Sequence, residues 1–385
     1  LLYLPILILS KSLFSYKVTN KHNIPDNPPF FIVSSHRNYL DPFFISIAVK
    51  FPVHYITTYE VFRSPVSRFI FRKLLSIPKK RYLNDFNAAR KIRKEIERDS
   101  VIGIFPEGER SWTGEMRSFK PEALRLLKRF PEVPILPVRL EGNYHSWPRW
   151  GKNIRRAKLS VTIENPIRII PEIKIKDIDA QLKMLLKPQD TDAFCKSKKR
   201  ADNIGIVLYR CPLCYTFKPF DIIGKSSFCC PECRSSFAVD NDYSISYRKD
   251  DVPQKHSIND LYEMIKIKSS DIRVSISPGS VDEYIACSSP CSFYKEKKDR
   301  LSKMFDGRLC LSSSHLILIN PRNHLKLGLS TIRAVTIESN YKLQIYGGDE
   351  PRLYQVTFTN ESVLKWQDYI VEVLRYEHGF NPVTR

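Results

Sequence analysis

The sequence predicts an α/β layered domain in its first half, a short cysteine-bearing module, and a strand-dominated region closing on one helix. Three observations carry this reading. Up to about residue 187, short apolar runs alternate with helix-period stretches. Two Cys-x-x-Cys pairs then lie within "RCPLCYTFKPFDIIGKSSFCCPECRSSF", residues 210–237. Beyond residue 254, strand-like runs separated by turn signals precede one final amphipathic segment. The partition expected is therefore 1–187, a polar linker over 188–204, a module over 205–250, and a last domain over 254–385.

In the first region "FFIVS", "VHYITT", "VIGIFP", "PILPVRL" and "LSVTIENPI" read as strands. "DFNAARKIRKEIERD" and "PEALRLLKRF" carry apolar residues at helical spacing. In the last region "SINDLYEMIKIK" reads as a helix, and "ESVLKWQDYIVEVLRYE" places residues 363, 366, 370, 373 and 374 on one face, with Asn360 available as N-cap. A run of strands closed by one such helix resembles a PH/GRAM-like barrel, with Trp366 in its core.

Charge is distributed unevenly. Residues 1–200 hold 38 Lys and Arg against 19 Asp and Glu, which is +19 of the chain's net +21. The first half therefore seeks an anionic partner and the second does not. Nucleic acid, an anionic membrane and phosphorylated substrates all fit that sign, but no nucleic-acid module or RNP-type aromatic pattern is present, so nucleic acid ranks last. The opening "LLYLPILIL" is nine apolar residues, short of the roughly 20 that span a bilayer. It reads as the end of an upstream apolar segment or as an interfacial anchor. "EVFRSPVSRFIFRKLLSI" (60–77) interleaves Phe62, Phe69, Ile70, Phe71 and Leu74 with Arg63, Arg68, Arg72 and Lys73. Two readings stand for it: an interfacial helix on anionic lipid, or an amphipathic core helix with a basic solvent face.

Chemistry concentrates in four short blocks. "SSHRNYLDP" (34–42) places His36 five residues before Asp41. Alone, this reads first as an ordinary loop histidine beside a helix-capping acid. Downstream follow "LSIPKKR", then "FPEGERSWTGEMRSFKPEA", then "VPILPV". Together and in this order, the four blocks resemble those of the glycerolipid acyltransferase family over roughly residues 20–185. The resemblance implies a mixed sheet flanked by helices, and transfer of a fatty acyl group from acyl-CoA or acyl carrier protein to the hydroxyl of a lyso-glycerolipid, lysophosphatidic acid foremost.

That chemistry needs a base, because an alcohol's pKa lies far above neutrality; imidazole suits the task, and a carboxylate can fix its tautomer. His36 is thus the expected base and Asp41 its orienter, with no covalent nucleophile and no catalytic metal. Glu107, Gly108 and Arg110 are expected at the acceptor's phosphate, aided by backbone N–H groups near Gly108, with Arg81 (or Lys80) adding a contact. Ser35, Glu109 and Glu122 depart from the family's commoner residues. Glu109 puts a carboxylate beside the phosphate site, which weakens such a site unless an arginine pairs it.

Cys211-x2-Cys214 and Cys230-x2-Cys233, each with proline after its first cysteine, read as a four-thiolate site of zinc-ribbon type. The zinc would be structural, with Cys229 a spectator and Cys195, Cys287, Cys291 and Cys310 unpaired thiols. Thiolates in this pattern fit a reducing compartment. The composite expectation is an enzyme on the cytoplasmic face of a membrane; the alternative is a catalytically silent lipid-binding or scaffolding protein.

Overall fold

The computed structural model describes residues 14–80, 85–189, 194–195, 197–275, 284–297 and 300–379. The opening apolar segment before Phe14 and the expected phosphate contact Arg81 lie outside them. The chain divides into two compact units. The first comprises 1–202, 222–227 and 237–259; the second comprises 203–221, 228–236 and 260–385.

The first unit is built on β1 (Phe14–Thr19), β2 (Phe30–Val33), α1 (Asp41–Val49), β3 (Val53–Thr58), α2 (Pro65–Lys73), β4 (Ile77–Lys79), α3 (Phe86–Ile96), β5 (Val101–Ile104), α4 (Pro121–Lys128), β6 (Ile135–Glu141), a short α5 (Asn143–Ser146), β7 (Ala157–Ile163) and α6 (Ile175–Leu186). The sheet order is β1-β7-β6-β2-β5-β3-β4. All neighbours are parallel except β6 and β7, so the sheet is mixed, as expected.

β2 explains why its sequence is an unbroken apolar run. Phe30 and Ile32 enter a core with Phe44, Ile45 and Val49 of α1, while Phe31 and Val33 enter the core holding Ile92 of α3, Leu124 and Leu127 of α4, and Leu182 of α6. A strand covered on both faces has no polar side. α3 starts where Asp85 accepts the Ala88 N–H at 3.0 Å, and buries Ala88, Ile92 and Ile96 at steps of four. α2 differs: none of its residues is buried, which removes the core-helix reading. Phe62, just before it, is buried and so does not belong to an exposed face.

Five further strands, β8 (Asp221–Ile222), β9 (Ser227–Cys229), β10 (Ser236–Val239), β11 (Ser244–Lys249) and β12 (Val252–Ser257), form a sheet ordered β12-β11-β10-β9-β8. The sequence-based partition treats 205–250 as one module, but residues 237–259 cluster with the first unit. Packing explains the difference: Tyr243, at the turn into β11, stacks on His145 with ring centroids 5.1 Å apart, and Trp150 meets it edge-on. Within the expected linker, Cys195 is fully buried and pairs in a bridge with Ala157.

The second unit contains α7 (Ile258–Ile265, from Asp260 onward), α8 (Ser269–Ser275), β13 (Ala286–Cys287), β14 (Cys291–Lys297), β15 (Arg300–Leu311), β16 (His315–Ile319), β17 (His324–Gly328), β18 (Ala334–Ile337), β19 (Lys342–Gly347), β20 (Arg352–Phe358) and α9 (Val363–His378). The strand order is β17-β16-β15-β14-β20-β19-β18, all antiparallel, with β13 on β15. α9 buries Val363, Trp366, Ile370, Val373 and Leu374. Its cap is Ser362, whose hydroxyl accepts the Lys365 N–H at 3.2 Å, rather than Asn360. Cys287 and Cys310 are also corrected: they face each other across β13 and β15 and form a disulfide.

Candidate active site

His36 and Asp41 meet because the chain turns sharply between β2 and α1. The His36 Nδ1 lies 2.9 Å from Asp41 Oδ2, and the same oxygen accepts the backbone N–H groups of Arg37 and Asn38 at 2.8 Å each. Asp41 is therefore more than a helix cap. It gathers the loop before it, and its fully buried carboxylate fixes hydrogen on Nδ1, leaving Nε2 as the basic nitrogen. The imidazole stacks on Phe105 with centroids 4.3 Å apart, and Phe105 stacks in turn on Tyr55.

His36 is held below the usual histidine range. Burial is the main cause, opposed by the Asp41 hydrogen bond and charge, and reinforced by the guanidinium groups of Arg110 and Arg149. The ring is thus neutral and able to accept a proton at pH 7. Its side chain keeps 21% exposure, enough for a substrate to reach it.

The Pro-Glu-Gly loop after β5 is sewn to the same turn. His36 donates its N–H to Glu107 Oε1 at 3.0 Å, Arg117 donates its N–H to Oε2 at 3.2 Å, and Ser111 donates its N–H to the His36 carbonyl at 2.9 Å. Glu107 is 1% exposed, and burial pushes its carboxyl up to about 8. Both of its oxygens serve backbone amides, the geometry of a brace between two loops. Gly108 has φ +71°, the left-handed region glycine enters without a steric penalty. Its N–H closes the turn onto Phe105 O at 3.0 Å.

Arg110 is a buried cation of the site. Its guanidinium carbon lies 3.2 Å from the Tyr39 ring centroid, and Nη1 is buried with no hydrogen-bond partner among the described residues. A buried arginine donor left without an acceptor is costly, and an anionic ligand would supply one. Glu109 does not compromise this, because it accepts from Arg117 at 3.2 Å and from Arg149 at 3.4 Å. Lys80, the second-block alternative, lies over the Tyr59 ring at 5.2 Å.

Residues 15–141, about a third of the chain, match the family model described as Acyltransferase. That stretch is an acyltransferase domain. A 1-acyl-sn-glycerol-3-phosphate acyltransferase of Bacillus subtilis (strain 168) is 24% identical over 153 residues, covering 39% of this chain and 73% of the relative. One from Cocos nucifera is 30% identical over 76 residues, 20% of this chain and 24% of its own length. A crystal structure of the 1-acyl-sn-glycerophosphate (LPA) acyltransferase PlsC from Thermotoga maritima shares 23% identity at a TM-score of 0.40, covering 45% of this chain and 69% of that one.

In this acyltransferase the sequence reading missed Asn38, Asn143, Ser146 and Arg149. Asn38 donates to Ser146 Oγ at 2.6 Å, Asn143 donates to Asp41 Oδ1 at 2.8 Å, and Arg149 donates to Arg110 O at 2.8 Å while lying over Trp112. Asn38 lies inside "SSHRNYLDP" itself; for the other three the available signal was "NYHSWPRW" (143–150), a run of polar, aromatic and basic residues directly after a buried strand.

In the second unit, the Sγ atoms of Cys211, Cys214, Cys230 and Cys233 all lie within 4.8 Å of one another. Two pairs stand at 3.7 and 3.6 Å, close to the roughly 3.8 Å edge of a tetrahedron with 2.3 Å metal–sulfur bonds. The knuckles repeat one geometry. Tyr215 N–H returns to Cys211 O and Arg234 N–H to Cys230 O, with both closing residues at positive φ. The donor set fits a metal ion. Cys229 lies outside the cluster, against the Cys230 carbonyl.

Proposed function

We propose that this acyltransferase moves a fatty acyl group from acyl-CoA or acyl carrier protein to the free hydroxyl of a lyso-glycerolipid, with 1-acyl-glycerol-3-phosphate the expected acceptor. The observation that carries the reading is a neutral, Asp41-oriented His36 beside a buried Arg110 whose Nη1 lacks an acceptor. His36 Nε2 takes the hydroxyl proton as the acceptor oxygen bonds to the thioester carbonyl carbon. The carbon–sulfur bond then breaks, and the imidazolium returns the proton to the departing thiolate. Arg110 pairs the acceptor's phosphate. The names of the bacterial and plant relatives support the same substrate class.

The substrate is amphiphilic, and the enzyme meets it at an anionic membrane surface on the cytoplasmic side. α2 supports this: Val66 and Phe69 are 69% and 64% exposed beside Arg68, Arg72 and Lys73. No helix among the described residues is long and apolar enough to cross a membrane. The four thiolates hold a structural zinc. The antiparallel strands with the closing α9 support a PH-like domain, whose near-neutral sequence favours protein docking over strong phosphoinositide binding.

The test is acyl transfer by the full chain with labelled acyl-CoA and a panel of lyso-acceptors, wild type against His36→Ala. Loss of at least about 1000-fold in kcat is expected for the variant. Equal turnover by both proteins discards His36 as the base, and no turnover by wild type with any donor or acceptor discards the activity.

A further inference from the structure

The His36–Asp41 pair is completed by residues beyond the stretch that matches the family. Asp41 Oδ2 is already shared by three donors, whereas Oδ1 takes its hydrogen bond from Asn143 Nδ2, with both side chains fully buried. That one bond sets the rotation of the carboxylate, and so the direction in which Oδ2 faces the imidazole. It also withdraws charge from Asp41.

Asn143 opens the four-residue α5, which the chain enters through Gly142 at φ +73°. A Cβ there would lie 1.8 Å from the Lys158 carbonyl oxygen, so only glycine fits. The inner side of α5 is tied to the catalytic turn: Asn38 donates to the Asn143 carbonyl at 2.7 Å and to Ser146 Oγ at 2.6 Å. The outer side is held by Tyr243. Its hydroxyl donates to the His145 carbonyl at 3.1 Å and accepts from Arg155 Nη1 at 2.5 Å. Its ring stacks parallel to the His145 ring, at 5° between planes. Arg155 closes the circuit by donating its N–H to the Ser146 carbonyl at 2.7 Å.

Tyr243 pays for this placement in backbone strain. It has φ +61°, in the left-handed region that a bulky side chain rarely adopts. The β10–β11 turn holds it there through Tyr243 N–H to Asp240 O at 3.1 Å. A strained aromatic, buried to 3% exposure and bonded on both sides of its hydroxyl, is a designed support rather than a loop accident.

We propose that Asn143 is a positioning residue for the His36–Asp41 pair, and that Tyr243, carried on a hairpin outside the matched domain, holds Asn143 in register. The active site of this enzyme then depends on a segment more than 90 residues later in the chain than α5. The inference rests on His36 acting as the base.

The experiment measures kcat, KM for acyl-CoA and the pH dependence of kcat/KM for the full chain and three variants. Asn143→Ala should lower kcat by roughly 10- to 100-fold with KM for the donor little changed. It should also shift the acid limb to higher pH, because an Asp41 without that donor stabilises the imidazolium more strongly. Tyr243→Phe keeps the ring and removes only the hydroxyl; it should shift the acid limb in the same direction with a smaller loss of kcat. Wild-type kcat and an unmoved acid limb in Asn143→Ala overturn the proposal. Should that variant not fold, the same result in Tyr243→Phe overturns it. His36→Ala separates the two readings: an active His36→Ala sinks the base assignment itself, whereas an inactive one with wild-type behaviour in the other two sinks only the role of Asn143 and Tyr243.

Discussion

The main-chain N–H of His36 donates to the side chain of Glu107 at 3.0 Å, so the loop that carries His36 is fastened to the loop that carries Arg110 by a buried acid. The fastening has a pH signature. Burial raises the Glu107 carboxyl from 4.5 to about 8, so the folded state holds a proton the unfolded state releases between those values. Stability contributed by the protonated form is therefore full below about pH 4.5 and declines as pH rises toward 8, at no more than about 1.4 kcal/mol per pH unit. Glu107→Gln cannot titrate and should show a flatter profile over that window in urea denaturation. Parallel profiles for the two proteins would remove Glu107 as the source.

Arg110 acts on His36 through space, and the proposed function gives it the acceptor's phosphate as well. Arg110→Ala should raise KM for 1-acyl-glycerol-3-phosphate by at least about tenfold, the loss expected for a charge-assisted pair, with a smaller effect on an uncharged lyso-acceptor. Because the Arg110 charge holds the His36 pKa down, its removal should also move the acid limb of kcat/KM upward. Equal KM changes for charged and uncharged acceptors would place Arg110 outside phosphate recognition.

What could be read from the sequence was what is local in the chain. His36 and Asp41 are five residues apart, and the turn between them brings them together without help from distant strands. β2 announces its double burial by having no polar position. Asn143 could not be found this way, because it reaches Asp41 only after β6 returns beside β2, across 102 residues. The same holds for Cys287 and Cys310, whose pairing depends on the register of β13 against β15. The interleaving of the two units was hidden for a related reason. The cysteine spacing shows which thiols converge, but not that the hairpin after them leaves to pack on His145 and Trp150.

Membrane contact through α2 makes a separable prediction. Replacing both Val66 and Phe69 by Glu removes apolar area and adds two negative charges to a basic surface. Binding to vesicles rich in anionic lipid should fall by at least about tenfold, with the thermal midpoint nearly unchanged because α2 buries none of its residues. Unaltered vesicle binding would exclude α2 as the contact.

The cysteine knuckles should be felt in α9. Tyr209, two residues before Cys211, donates its hydroxyl to Asp368 Oδ2 at 2.8 Å, and Arg210 donates to Asp271 at 2.9 Å. Tyr262 donates to the same buried Asp368, whose carboxyl burial pushes up to about 6. The first knuckle is thus bonded to two helices of its own unit rather than standing alone. A structural zinc, as proposed for the four thiolates, would contribute its binding free energy to folding, so chelator treatment, or Cys214→Ser, should loosen both knuckles and the Tyr209 bond to Asp368. Hydrogen exchange should then speed up over 363–374 while β2 and β5 keep their protection, and metal analysis of the untreated chain should return about one zinc per molecule. Protection in α9 that survives complete removal of the metal would mean that the knuckles and the helix fold independently.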